Sequence, residues 1–244
     1  MRWRCALLTW ILLSIGLAGT LTLRDGRTVQ GSYLGGASRL IRMAVGDKIE
    51  TFDVSDVSSL HLASMIGPAA AQLLIEGNRN SGVRVTIYED LQCPDCAAFQ
   101  RMLDEKLLPR YGAKVVFEHR DFPLARHTWA RKAAIAARFF QGVNPELAVT
   151  YRRYALANRR QINAANFEER LSAFAKDHGV DPQKALAALQ DPGLGAAVEK
   201  DFQEGVARGV SKTPTVFVNG APYIETFTFE EISKGIDAAL AEAK

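Results

Sequence analysis

The chain has 244 residues, 48% of them hydrophobic and 23% charged, which excludes a collagen-like, low-complexity or wholly disordered polymer. Its 30 basic and 27 acidic residues leave a formal charge of +3, too small for a long-range field that would hold nucleic acid or an anionic membrane. Only three cysteines occur, so a disulfide-dense scaffold is excluded as well, and the length fits one main domain with a smaller appendage.

Residues 1–19 place Arg2 and Arg4 ahead of an uncharged apolar run that starts at Cys5 and ends near Leu23, with Gly16, Ala18 and Gly19 close to its exit. A basic start, an apolar centre and small residues at the end predict a signal peptide cut after Ala18 or Gly19. Left uncut, residues 5–23 are long enough to anchor the chain in a bilayer. Both readings send the protein to the periplasm or outside the cell. The cut form keeps only Cys93 and Cys96, and in an oxidising compartment such a pair forms either a structural bridge or a working one.

Residues 20–62 read as a small β module. The turn signals Asp25-Gly26, Gly35-Gly36 and Gly46-Asp47 separate short runs at 28–34, 40–45 and 49–54, which predicts a bent sheet or small barrel. The stretch from Leu21 to Gly31 resembles the start of an Sm-like barrel. Its charges are balanced, so the reading is a docking or spacer module without an RNA role. Residues 63–81 read as a linker, with Pro68 and the turn cluster that begins at Gly77.

The pattern then changes. Residues 83–88 form a continuous apolar, β-branched run, as in a sheet covered on both faces. A loop at 89–93 leads into a helix over 94–111, and a second strand follows at 115–119. Helices are predicted at 128–140, 145–158, 167–178 and 182–208. A hairpin around Asn219-Gly220 joins strands at 215–219 and 222–225, and a helix over 229–243 ends the chain. This order predicts an α/β domain over 82–244, a mixed sheet with helices on both faces and a helical insertion at about 126–209.

The chemistry lies in Cys93-Pro94-Asp95-Cys96, placed where a strand ends and a helix begins. A cysteine at a helix N-terminus meets unpaired amides and the helix dipole, both of which favour its thiolate. Pro94 suits the first helical turn, having no N–H to lose. The two-residue spacing puts Cys96 within one turn, able to bridge Cys93 or to attack a mixed disulfide from behind. Cys93 is therefore the exposed attacker and Cys96 the shielded resolving thiol. Zinc would need further thiolates or paired histidines, yet no second C-x-x-C exists and His61, His119, His127 and His178 lack ligand spacing. A purely structural bridge over so short a loop would stabilise weakly.

Three stretches carry a resemblance to the thioredoxin superfamily, in its DsbA-like branch of thiol:disulfide oxidoreductases. They are Tyr88 to Cys96, then Arg120 to Leu124 with His127 and the alanine-rich helix after it, and Lys212 to Gly220. The likeness runs from about Gly82 to the C-terminus. It implies a thioredoxin-like fold with an inserted helical domain, a redox pair Cys93–Cys96 supported by Pro94 and Asp95, and a cis-proline at Pro214. Thr213 would offer backbone groups to an extended substrate strand, and the insertion would wall one side of a groove over Cys93. The implied activity is disulfide exchange with cysteines of unfolded, secreted or envelope proteins. A membrane redox partner would recycle the pair, with no metal or organic cofactor.

Two departures from the family pattern stand out. The buried acid that relatives place six residues before the first cysteine is Ile87 here. Glu89 or Asp90 could substitute for it, or both could be solvated loop carboxylates or helix caps. Asp95 stands where the strongly oxidising archetype has a histidine, which predicts a potential between thioredoxin and DsbA. Two further readings stay open: a reductase or isomerase kept reduced by a membrane donor, with residues 20–62 as its dimerisation piece, and a non-catalytic binding or chaperone-like module with a structural disulfide.

Overall fold

The computed structural model describes residues 17–37, 40–46, 48–62 and 73–243. Most of the signal or anchor segment, residues 1–16, and the first part of the expected linker, residues 63–72, lie outside the described residues. Among the described residues no helix is long and apolar enough to cross a membrane.

The N-terminal module is a five-stranded antiparallel sheet in the order β4-β3-β2-β1-β5. Its strands are β1 (Leu17–Leu23), β2 (Thr28–Ala37), β3 (Leu40–Val45), β4 (Lys48–Asp53) and β5 (Val57–Leu62). Strand β1 starts inside the segment read as signal or anchor, so cleavage after Gly19 would remove its first residues. Strands β4 and β5 lie at opposite ends of this order, and among the described residues no ladder joins them. Alternation along β3 buries Ile41 and Met43 and turns Leu40 and Arg42 outward. This buried face continues through Leu21, Tyr33, Val57 and Leu60 onto Tyr88, Phe122, Val206 and Phe217 of the larger domain. The module is docked there and does not hang free.

The larger domain is built on the sheet β10-β9-β7-β8-β6. Its central strands β7 (Arg84–Glu89) and β8 (Val116–Asp121) run parallel, and β9 (Thr215–Val218) pairs antiparallel with β7. The edges are β10 (Ala221–Ile224) and β6 (Leu74–Gly77). The reading of 63–81 as linker is thus corrected, since four of its residues form β6, antiparallel to β8. A short strand flanked by turn residues has too few side chains to show its period. The Asn219-Gly220 turn takes φ values of +44° and +96°, which glycine and asparagine tolerate, and it closes the β9–β10 hairpin in two residues.

Helix α1 (Pro94–Met102) passes through a π-helical segment at Leu103–Leu107 into α2 (Leu108–Tyr111). Between β8 and β9 lie α3 (Ala130–Val143), α4 (Pro145–Ala157), α5 (Phe167–Asp177), α6 (Pro182–Ala188) and α7 (Pro192–Ala207), and α8 (Phe229–Glu242) closes the chain. The single helix expected over 182–208 is two. Pro192 cannot donate to the preceding turn, and the Asp191 side chain caps the new helix on the amides of Gly193 and Leu194. One face of the sheet packs Val85, Ile87 and Phe117 against Phe99, Leu103 and Ile236. The other meets α7, where the β module also docks.

Gly205 of α7 marks that junction. A Cβ there would lie 2.7 Å from Phe122 and 2.9 Å from Tyr88, both core rings. Gly205→Ala should therefore destabilise the fold by about 1–3 kcal/mol through overpacking, read as a lower thermal midpoint, whereas the same change at the open Gly142 should not.

Candidate active site

Strand β7 delivers Glu89 and Asp90 beneath the first turn of α1, and Cys93 is the N-cap residue of that helix. Cys93 has extended backbone angles and makes no side-chain cap bond. The Thr213–Pro214 peptide is cis, and the Cys93 thiol donates to the Thr213 carbonyl at 3.3 Å. The sequence-predicted residues therefore converge. Cys93, Cys96, Thr213 and Pro214 form one buried group, while Pro94 is exposed and Asp95 half-buried at its rim.

The expectation of an exposed Cys93 is corrected: the residue is 1% exposed, and Cys96 is fully enclosed. Both pack in one apolar cluster with Leu91, Ala97 and Trp129, residues brought in by the loop and by the start of the insertion. The two thiols differ in ionisation instead. The hydrogen bond from Cys96, followed by contacts with Thr213 and the amides of Cys96 and Asp95, outweighs burial and draws the Cys93 thiol down to about 6. Burial pushes Cys96 well above its ordinary value, and the neighbouring Cys93 and Glu89 push the same way.

Neither acid beside the motif is solvated. Asp90 is 1% exposed and accepts hydrogen bonds from the amides of Gln92 and Leu124 at 2.7 Å each, with the His127 ring 2.8 Å away. Its own amide donates to Cys96 Sγ at 3.4 Å, and the Gln92 side chain accepts from the Trp129 amide at 3.0 Å. Together these bonds tie the active-site loop to the first residues of the insertion. Burial raises the Asp90 carboxyl against the pull of those donors.

Glu89 is 2% exposed and takes the Nδ1 of His119 at 2.7 Å and the Nε of Arg152 at 3.0 Å. Burial pushes its pKa up, but Arg152 and His119 prevail and hold it below the carboxylate range. From Arg152 the ion pairs continue through Asp121, Arg138 and Asp201 to Arg120. Sequence reasoning missed His119, Arg138 and Arg152, because their partners come from separate elements and no spacing signals them. Among the described residues no group of His, Cys, Asp and Glu is placed to hold a metal ion.

Beside α1 lies a cleft of about 450 Å³ with Ala98, Phe99, Met102 and Phe227 as its apolar lining and Asp95, Glu225 and Glu231 around it. It is formed by α1 and the β10–α8 connection, so this side of the site is walled by those elements and not by the insertion.

A family model described as Thioredoxin matches residues 71–238. Among curated proteins, the chain is 27% identical over 173 residues to the Na(+)/H(+) antiporter NhaA 3 of Salinispora tropica, matching 70% of this chain and 25% of that one. It thus spans about a quarter of the antiporter's length. A Rickettsia bellii protein, provisionally named a protein-disulfide oxidoreductase, is 24% identical over 70% of this chain and 66% of its own. The solved structure of Wolbachia pipientis alpha-DsbA1 superposes with a TM-score of 0.63 at 17% identity, covering 73% of this chain and 95% of that one. That likeness is one of fold. The residues before the matched region carry the β module.

Two titrations follow. The ultraviolet thiolate signal of Cys93 should appear with a midpoint at about 6, and Cys96→Ala should move it upward by removing the largest stabilising hydrogen bond. Burial opposes charge on His119, yet Glu89 and Glu76 raise it to about 9 from its ordinary 6.5. The stabilisation from this histidine is complete below pH 6.5 and is lost as the pH rises through about 9. Thermal midpoints should fall over that window, and His119→Gln should flatten the fall.

Proposed function

The chain belongs to the thioredoxin family, and from that premise we propose that it is a thiol:disulfide oxidoreductase working through Cys93 and Cys96. The reading rests on the opposed ionisation of two thiols one helical turn apart. Cys93 is drawn down to about 6 beside Pro214, while Cys96 is pushed well above its ordinary value behind it. A sulfur ionised at neutral pH is a good leaving group and a ready nucleophile, whereas a protonated partner attacks only when the mixed disulfide is presented to it.

In the oxidising direction a substrate thiolate attacks the Cys93–Cys96 disulfide at Cys93, and Cys96 leaves and takes up a proton. A second substrate thiolate attacks the mixed disulfide at its own sulfur, releasing the substrate disulfide and the Cys93 thiolate. Electrons pass between sulfur atoms alone, without metal or organic cofactor. The Thr213 carbonyl, which accepts from Cys93 here, would turn to the backbone of a bound extended peptide, and the cleft beside Asp95 would take an apolar side chain next to the substrate cysteine. The substrates are cysteine-containing secreted or envelope proteins, reached by export through residues 1–19, and a membrane redox partner reoxidises the pair.

Oxidation of a dithiol peptide tests the reading. Cys93→Ser should lower the rate by about a hundredfold or more, and an unchanged rate would leave the pair a structural feature only. Against glutathione, the wild-type potential should fall between those of thioredoxin and DsbA, and Asp95→His should raise it, since an imidazolium at that place stabilises the thiolate further.

A further inference from the structure

Cys96 is fully enclosed, so its attack on a mixed disulfide at Cys93 requires a proton acceptor inside the protein. Two acids adjoin it: Asp90, whose amide reaches Cys96 Sγ at 3.4 Å, and its neighbour Glu89, whose charge acts on the Cys96 thiol. Both Asp90 oxygens are occupied, Oδ1 by the Gln92 amide and Oδ2 by the Leu124 amide and His127. Glu89 differs. Its Oε1 takes His119 and Arg152, but its Oε2 is buried and has no hydrogen-bond partner among the described residues. An unpartnered buried carboxylate oxygen is costly, and its persistence beside a buried thiol calls for a use.

The path continues. The His119 ring is 2% exposed and spans two carboxylates, with Nδ1 at 2.7 Å from Glu89 and Nε2 at 2.9 Å from Glu76. Glu76 sits on the edge strand β6 with its side chain 14% exposed, on a cavity of about 520 Å³ between β6 and α4. We propose that the resolving thiol exchanges its proton with water through the far edge of the sheet, by way of Glu89, His119 and Glu76, and not through the mouth at Cys93. The inference rests on the redox reading above and adds to it the route of the proton.

In the resolving half-reaction the substrate is reduced and the cysteine pair oxidised. The Cys96 proton goes to Glu89 Oε2, and the imidazolium of His119 releases its Nε2 proton to Glu76 and so to water. The Cys96 thiolate then forms the S–S bond with Cys93, and the Cys93–substrate bond breaks. The electron pair leaves on the substrate thiolate, so the substrate is reduced and the cysteine pair oxidised. When a donor thiol later reduces the pair, Cys96 takes the proton back from Glu89, and water refills His119 through Glu76. The Glu89–His119 pair has no net charge in either form, so moving the proton adds none to the buried cluster. The groups facing this path are Cys96 from α1, Arg152 from α4 on Glu89, and Arg153 from α4 on Glu76, with Arg153 also held by Asp104.

The test is stopped-flow reaction of the reduced protein with dithiobis(nitrobenzoate). The first nitrothiolate released reports attack by Cys93, and the second reports attack by Cys96. In the wild type the second phase should vary little between about pH 6 and 8. In His119→Gln and Glu76→Gln it should slow about tenfold at the acid end and rise about tenfold per pH unit, as hydroxide replaces the internal acceptor. The first phase should keep its rate. Arg153→Gln, which breaks an ion pair to Glu76 without cutting the path, should behave as wild type. A second phase with the wild-type pH profile in folded Glu76→Gln overturns the route, as does a steepened profile in Arg153→Gln. Loss of the first phase from the wild type overturns the redox reading itself.

Discussion

Charge buried under a sheet has to be paired, and that constraint shapes this domain. Glu89 and Asp121 end two neighbouring strands on the face where α3 and α4 pack, and an unpaired carboxylate there would cost several kcal/mol. Arg152 from α4 answers both, and Arg138 from α3 answers Asp121 and also Asp201 of α7. The insertion is thereby keyed to the strands that deliver the active-site loop. Alanines at 133, 136, 137, 148 and 155 let α3 and α4 approach closely enough for the short bridges to form. Each of these carboxylates has a second cation, His119 on Glu89, Arg120 on Asp201 and both arginines on Asp121, so no single removal leaves one bare, and the intact pairs add little net stability over an apolar core. The network specifies where the helices sit more than how tightly they hold.

The same geometry separates the two thiols. Cys93 occupies the N-cap position without a side-chain cap bond, and its thiolate is favoured first by Cys96 and then by Thr213 and the nearby amides of Cys96 and Asp95. Cys96 lies one turn inside, where burial, Cys93 and the carboxylate of Glu89 outweigh the Asp90 amide that donates to its sulfur. The same turn thus lowers one cysteine, chiefly through the other's thiol, and raises the other, chiefly by burial. Both residues are buried, but burial is the main cause that raises Cys96, whereas at Cys93 hydrogen bonds outweigh it.

How much of this could be read from the sequence follows from the range of each signal. The Cys-Pro-Asp-Cys motif, its place between strand and helix, the Asn219-Gly220 hairpin and the helical insertion are local patterns, and the structure places each of them where the sequence does. The Thr213-Pro214 segment was found by resemblance and lies against Cys93, 120 residues away in the chain. Strand β6 was missed because four residues among turn formers show no alternation. The break at Pro192 was visible as Asp191-Pro192 and was overridden by the apolar periodicity on either side. The burial of Cys93 and of both acids could not be read locally. It depends on Trp129, His127 and Arg152, which the insertion brings back from positions that carry no motif.

Glu89 and Asp90 show why composition could not settle their roles. They are adjacent acids, equally buried, yet their carboxyls move in opposite directions, Glu89 down and Asp90 up. Alternation at the end of β7 turns Glu89 toward the cations of α4 and β8, while Asp90 turns into the loop and meets peptide amides and one histidine. Cations favour the charged carboxylate strongly enough to overcome desolvation, and peptide dipoles here do not. Asp90 spends every oxygen on fixing the loop, so any change to it would loosen the approach of Cys93 to Thr213. Glu89 is held through one oxygen only, which leaves the other able to gain and lose a proton without disturbing the frame. In the proposed route, the acid that the family resemblance places at residue 87 is replaced by Glu89, two positions further along the strand on the same face of the sheet, because side chains on a strand alternate and a shift of two preserves the face.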